Sequence, residues 1–179
     1  PYAIVGASSL MYARSALWLA LFNHGLFARV GIPFLALAAA GIAVSYAMVR
    51  AGQRGSGAQR KGVLIEHHNP LEFSTAFIFA GLFLLIIVAT QWAAARFGYT
   101  GTYLVAILAG FVNPDPFVIG LAQRSTEAAG TDIAFAAIAL STASNNLIKG
   151  IYAIAFGDRR TGLLSLLYLT ILTAASLAF

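Results

Sequence analysis

Residues 108–122 read LAGFVNPDPFVIGLA, with Asn113, Pro114, Asp115 and Pro116 set among apolar neighbours. The local chemistry is that of a helix start. Asparagine suits an N-cap, and proline fits the first helical position because its missing N–H would lack a partner there anyway. An acid in the first turn meets exposed amides. This start falls well inside an apolar run, so the spacing predicts a broken span. One helical segment should end near residues 110–112 and a short one should begin at Pro114. Irregular backbone at membrane depth persists only where protein buries it or water reaches it. Broken helices of this kind present amides and carbonyls to solutes in secondary transporters. A proline kink, with Asp115 turned to a neighbouring helix, is the structural alternative.

Composition decides that the run belongs to a membrane. Of 179 residues 60% are hydrophobic and 9% charged, and mean hydropathy is +0.83. Soluble globular chains carry about 25% charged residues, so this chain cannot cover its own surface in water. Its apolar runs approach the roughly 20 residues that cross about 30 Å of hydrocarbon. They read as six spans, at residues 2–22, 31–49, 73–95, 99–121, 133–156 and 163–179. All are too long for strands and none alternates. The expectation is an all-α, polytopic transmembrane helix bundle, multi-pass, with the lipid bilayer as its first partner.

Several functional classes drop out. The net charge of +5 sits mostly in the short connections, as membrane loops require, and does not point to nucleic acid. Without cysteine there is no disulfide, thiolate metal site or thiol nucleophile. No serine–histidine–acid set, zinc helix motif or phosphate loop is present, so neither an enzyme nor a cofactor is expected. His67 and His68 follow Glu66, but adjacent residues diverge on a helix and no second ligand cluster lies nearby, so no metal site is expected. The stretch 50–68, rich in glycine and cations, reads as a polar loop on the cytoplasmic side together with both termini. An opening on Pro1 and an already apolar start leads to the expectation of a piece of a longer chain.

The fifth span carries STASNNLIKGIY, with Ser144, Asn145, Asn146 and Lys149 near its middle. Ser141, Asn145 and Lys149 recur every four residues and form one stripe. A central lysine costs about 2.5–3.5 kcal/mol on insertion scales, so Lys149 should pair with Asp115 or snorkel to an interface. Arg14, beyond Ser8 and Ser9 in the first span, is expected as a second interior cation. Ser9/Ser144 and Arg14/Lys149 share an offset of 135 residues, which suggests parallel repeats. Residues 1–50 would be a two-helix remnant of a first repeat, 51–68 a polar loop, and 69–179 a four-helix second repeat. Ala39, Ala43 and Ala47 read as a face for close helix approach. Trp18, Trp92, Tyr99 and Tyr152 suit span ends.

The stretches HNPLEFSTAFIFAGLFLL (68–85), ARFGYTGTYLVAILAGFVNPDPFVIGLA (95–122) and ALSTASNNLIKGIYAIAFG (139–157) carry a resemblance. In this order they resemble the uncharacterised bacterial membrane domain that often lies C-terminal to an MgtC/SapB-type domain. The similarity covers nearly the whole chain. That family usually has Asp-x-Asp in the break segment, where this chain has Asn113, Pro114 and Asp115. One acid is thereby replaced, which tells against a two-carboxylate site for a divalent cation. The resemblance implies a further serine/threonine-rich helix before the first span, and its associated domains imply ion transport.

Together these readings lead to a transporter or channel for a small ion or polar solute. Asn113 and Asp115 are expected as ligands at the break, Ser144, Asn145, Asn146 and Lys149 as the facing helix, and Arg14 as the second cation. Two cations against one acid fit an anionic or proton-coupled solute better than bare Mg²⁺. The alternative is a non-transporting structural or regulatory subunit of a membrane complex. A homo-oligomer or a partner membrane chain is the expected protein contact. A water path to Asp115 favours transport, and a dry, fully paired cluster favours the subunit.

Overall fold

The computed structural model describes residues 2–53, 73–124, 128–157 and 159–178, which are helical almost throughout and contain no strand. Helix α1 (Tyr2–Phe22) coincides with the first expected span. It stops at Asn23, whose Oδ1 accepts the Leu26 amide hydrogen at 3.0 Å and so caps the short α2 (His24–Leu26). A π-helical turn, Phe27–Gly31, leads into α3 (Ile32–Gln53). Helices α1 and α3 pack around Tyr12, Ala16, Leu19, Phe34, Leu37 and Ala38. The Tyr12 ring meets that of Phe34 edge to face at 5.0 Å. The packing face of α3 thus runs through Phe34, Leu37, Ala38 and Gly41, so the expected alanine face is corrected: Ala39, Ala43 and Ala47 point outward. Large side chains such as Leu35, Ile42 and Tyr46 are exposed too, so the register of α3 against α1, and not side-chain size, sets the inner face.

Helix α4 (Phe73–Val112) changes direction at Gly98, which has φ 59° and ψ −139°. Only glycine adopts this backbone cheaply. Ile86 and Ala106 belong to one buried cluster, whereas a straight helix would hold them roughly 30 Å apart. The two arms of α4 therefore fold back on each other, at the junction expected between residues 95 and 99. The chain breaks again at Asn113 and Pro114, and α5 (Asp115–Ala122) follows. The broken span is as expected, with one shift: the helix begins at Asp115 and Pro114 precedes it as the cap. Helices α6 (Ala128–Phe156) and α7 (Arg159–Leu177) form the last hairpin. The second arm of α4 lies along α6, and α5 contacts α1, α4 and α6.

Among the described residues three stretches are long and apolar enough to cross a membrane: Tyr2–Phe22, His24–Arg50 and Ala80–Val112. Thr161–Leu177 is a shorter apolar helix. Helix α6 falls outside this measure, as polar Asn145, Asn146 and Lys149 lie in its C-terminal half. The expected loop at 54–68 with Glu66, His67 and His68, and the helix start at Asn69, Pro70 and Glu72, lie outside the described residues.

Candidate functional site

The break creates a supply problem for the backbone. Pro114 has no N–H, so the Gly110 carbonyl loses the partner that an unbroken helix would offer. Asn145 of α6 replaces it, donating Nδ2–H to the Gly110 oxygen at 2.7 Å. One turn earlier Ser144 donates Oγ–H to the Ile107 carbonyl at 2.9 Å. Both bonds need the two backbones to approach closely, and Gly110 permits it. A Cβ there would come within 2.7 Å of the Ser144 Cβ. On the far side of the break, Asn113 Oδ1 accepts the Asp115 amide hydrogen at 3.1 Å. The polar residues of α6 therefore repair the end of α4, and Asn113 holds the start of α5.

Asp115 itself faces α1. Its Oδ2 lies 2.6 Å from an Arg14 guanidinium nitrogen, with the carboxylate side chain 13% exposed and that of Arg14 51% exposed. Two expectations are corrected here. Arg14 rather than Lys149 is the ionic partner of Asp115, because α5 packs against α1 and brings the two together. Arg14 is also not fully interior, since about half of its side chain is exposed on the outside of the bundle. Half-buried Lys149 has its Nζ 3.5 Å from Met11 Sδ, a weak acceptor for an ammonium group. Met11 lies one turn before Arg14 on α1, so the Lys149 contact and the Arg14–Asp115 pair meet on the same stretch of that helix.

Tyr12 is a member of the cluster that no sequence pattern singled out. Fully buried, its hydroxyl accepts from Asn146 Nδ2 at 2.7 Å and faces the Leu172 carbonyl at 3.4 Å. It joins α1, α6 and α7 through one oxygen. The available signal was a tyrosine in mid-span, where burial of its hydroxyl demands a partner. Ser141 does not join the expected stripe, because its hydroxyl turns back to the Ile138 carbonyl at 2.9 Å.

The network is incomplete. Asp115 Oδ1, Asn145 Oδ1 and Asn146 Oδ1 are buried without a hydrogen-bond partner among the described residues, as are the Ser8 and Ser15 hydroxyls on the Tyr12 side of α1. Each such group costs about 1–3 kcal/mol unless something satisfies it. Neither of two cavities reaches the ion pair. One of about 110 Å³ is walled by Ile87, Thr90, Thr102, Pro116, Phe117 and Arg124. A larger apolar groove of about 290 Å³ runs between α1, α3 and α7, past Leu37, Gly41 and Leu172. Among the described residues no group of three or more His, Cys, Asp or Glu could hold a metal ion.

A family described as "Domain of unknown function (DUF4010)" matches residues 2–157. The chain belongs to the DUF4010 family. That stretch holds the whole break site, from Arg14 to Lys149. This DUF4010 chain is also 32% identical over 108 residues to an "Uncharacterized protein" of Aquifex aeolicus (strain VF5), covering 60% of this chain and 47% of the relative. It thus spans about half the length of the curated relative it matches. No solved structure matches it.

Proposed function

We propose that this DUF4010 protein is a multi-pass protein of a bacterial inner membrane that moves a small ion or polar solute past the break between α4 and α5. One observation carries this reading. Next to the break Asp115 is nearly buried, with one oxygen paired to Arg14 and the other without a partner among the described residues, and on α6 the amide oxygens of Asn145 and Asn146 also lack one. A polar network that served packing alone should be closed, because half-satisfied buried networks are costlier than apolar cores. Open valences of this kind suit a site that a passing solute or water completes. In this reading Asn113 and Asp115 line the break, Ser144 and Asn145 hold its other wall, and Asn146, Lys149 and Arg14 complete it. The protein is not an enzyme, it works beside an MgtC/SapB-type domain, and it assembles with itself or another membrane chain. The α1–α3 and α6–α7 hairpins, which carry Arg14 and Lys149 at matching offsets, are unequal copies of one unit.

Flux of small ions into liposomes holding the full-length protein tests the reading. We expect flux above that of protein-free liposomes, and a changed concentration dependence in Asp115→Asn. A folded protein that carries none of the ions offered would instead place the cluster in a non-transporting subunit.

A further inference from the structure

We infer that the solute of this site is a small univalent anion, and that Asp115 is the tethered carboxylate it displaces from Arg14. The inference rests on the transport reading above and names its substrate class.

Charge balance is the first ground. Lys149 reaches Met11, one turn before Arg14 on α1, and among the described residues Asp115 is the one carboxylate paired there, so that stretch of α1 gathers two basic side chains against one acid. Leaving an ammonium unpaired away from water is far more costly than leaving an amide oxygen unpaired. The open amide oxygens of Asn145 and Asn146 are satisfied by water or by a donor on the bound molecule. An anion bound there would meet both basic side chains directly. A bare cation would add a third positive charge and meet two already there.

The donors are also available. The Lys149 ammonium has three N–H groups, and among the described residues its hydrogen-bond contact is a thioether, a weak acceptor. Arg14 offers a fork of five, and its half-exposed side chain is reachable without opening the bundle. Its single ionic partner among the described residues is Asp115 Oδ2.

Asp115 is held lightly for a membrane carboxylate. Its Oδ1 is buried without a partner, so the single contact with Arg14 does most of the holding. An incoming anion that takes the guanidinium exchanges one charge-assisted contact for another. The two cavities bypass the pair, so entry by exchange at the rim needs no preformed chamber. Asp115 occupies the anion's place when the site is empty and returns when the anion leaves.

The sign of one substitution separates this from a cation site. If Asp115 were a ligand, Asp115→Asn would weaken transport. As a competitor, its neutralisation should lower the half-saturating anion concentration by roughly fivefold, the factor that a partly exposed charge pair commands. Lys149→Met, which keeps the bulk and drops the charge, should raise that concentration roughly tenfold or more, and Lys149→Arg should restore most of it. The assay uses liposomes with the full-length protein and sodium salts of chloride, nitrate and acetate, with potassium and sodium flux measured in parallel. Uptake of at least one anion with both shifts supports the inference. Flux of a cation with none of the anions overturns it and leaves the transport reading standing. Weakened anion flux in Asp115→Asn, with the variant still eluting as folded protein, overturns the competitor role. Absence of all flux removes both readings.

Discussion

Among the described residues two arginine–aspartate pairs cross between helices, and they differ in where the carboxylate sits. Arg29 at the α2–α3 link meets Asp132 near the start of α6, with both side chains more than half exposed. Arg14 meets Asp115 with the carboxylate nearly buried. The chemistry is the same and the surroundings are opposite. Exposed pairs of the first kind contribute little, because each charge is solvated whether paired or not. In the second, removing the partner strands a charge that the surroundings cannot stabilise. Only one of the two pairs is therefore placed to be functional.

The largest expected effect comes from splitting the inner pair. Arg14→Met should lower stability by about 2 kcal/mol, less than the 3–5 kcal/mol of fully enclosed pairs because Arg14 is half exposed. Adding Asp115→Asn to it should recover most of that loss, since the stranded charge is then gone. Thermal unfolding in detergent, run as a double-mutant cycle, measures the coupling. Strict additivity would mean that the inner pair is no different from the outer one.

A smaller effect should follow from the neighbouring repair of the break. Asn145→Leu removes the donor to the Gly110 carbonyl, which Pro114 has already deprived of a backbone partner. A loss of about 1–3 kcal/mol is expected from the orphaned oxygen. The same reading makes Asn146→Leu milder, because Tyr12 keeps the Leu172 carbonyl as a partner for its hydroxyl. If the two asparagines cost the same, the special need created by Pro114 is absent.

Much of this was legible in the sequence. Low charge and long apolar runs gave a helical bundle, the Asn-Pro signature gave the break, and Gly98 fell at the expected junction. These are local signals, carried by residues whose backbone chemistry acts within a turn. Pairing across helices was not legible in the same way. Lys149 looked like the partner of Asp115 because both are charged residues within apolar runs, and nothing local tells which helix α5 lies against. The alanine face of α3 misled for a related reason. Small residues permit close approach, but their spacing does not tell which side of α3 meets α1, and the face through Phe34, Leu37, Ala38 and Gly41 is the one that does. Tyr12 went unnoticed because its role depends on α6 and α7 at once.

The smallest expected effect belongs to the outer pair, and it is the one that fixes the scale of the comparison. Asp132→Asn should change stability by no more than about 0.5 kcal/mol, since Arg29 and Asp132 are solvated either way. Whatever coupling remains should fade in high salt, because charges in contact with solvent are screened over about 10 Å at 0.1 M ionic strength and over less as salt rises. The Arg14–Asp115 coupling should persist, because the carboxylate is largely withdrawn from mobile ions. Repeating both double-mutant cycles at low and high salt gives the decisive contrast. Equal salt sensitivity would mean that water and ions reach Asp115 as freely as Asp132, and that burial is not what separates the two pairs.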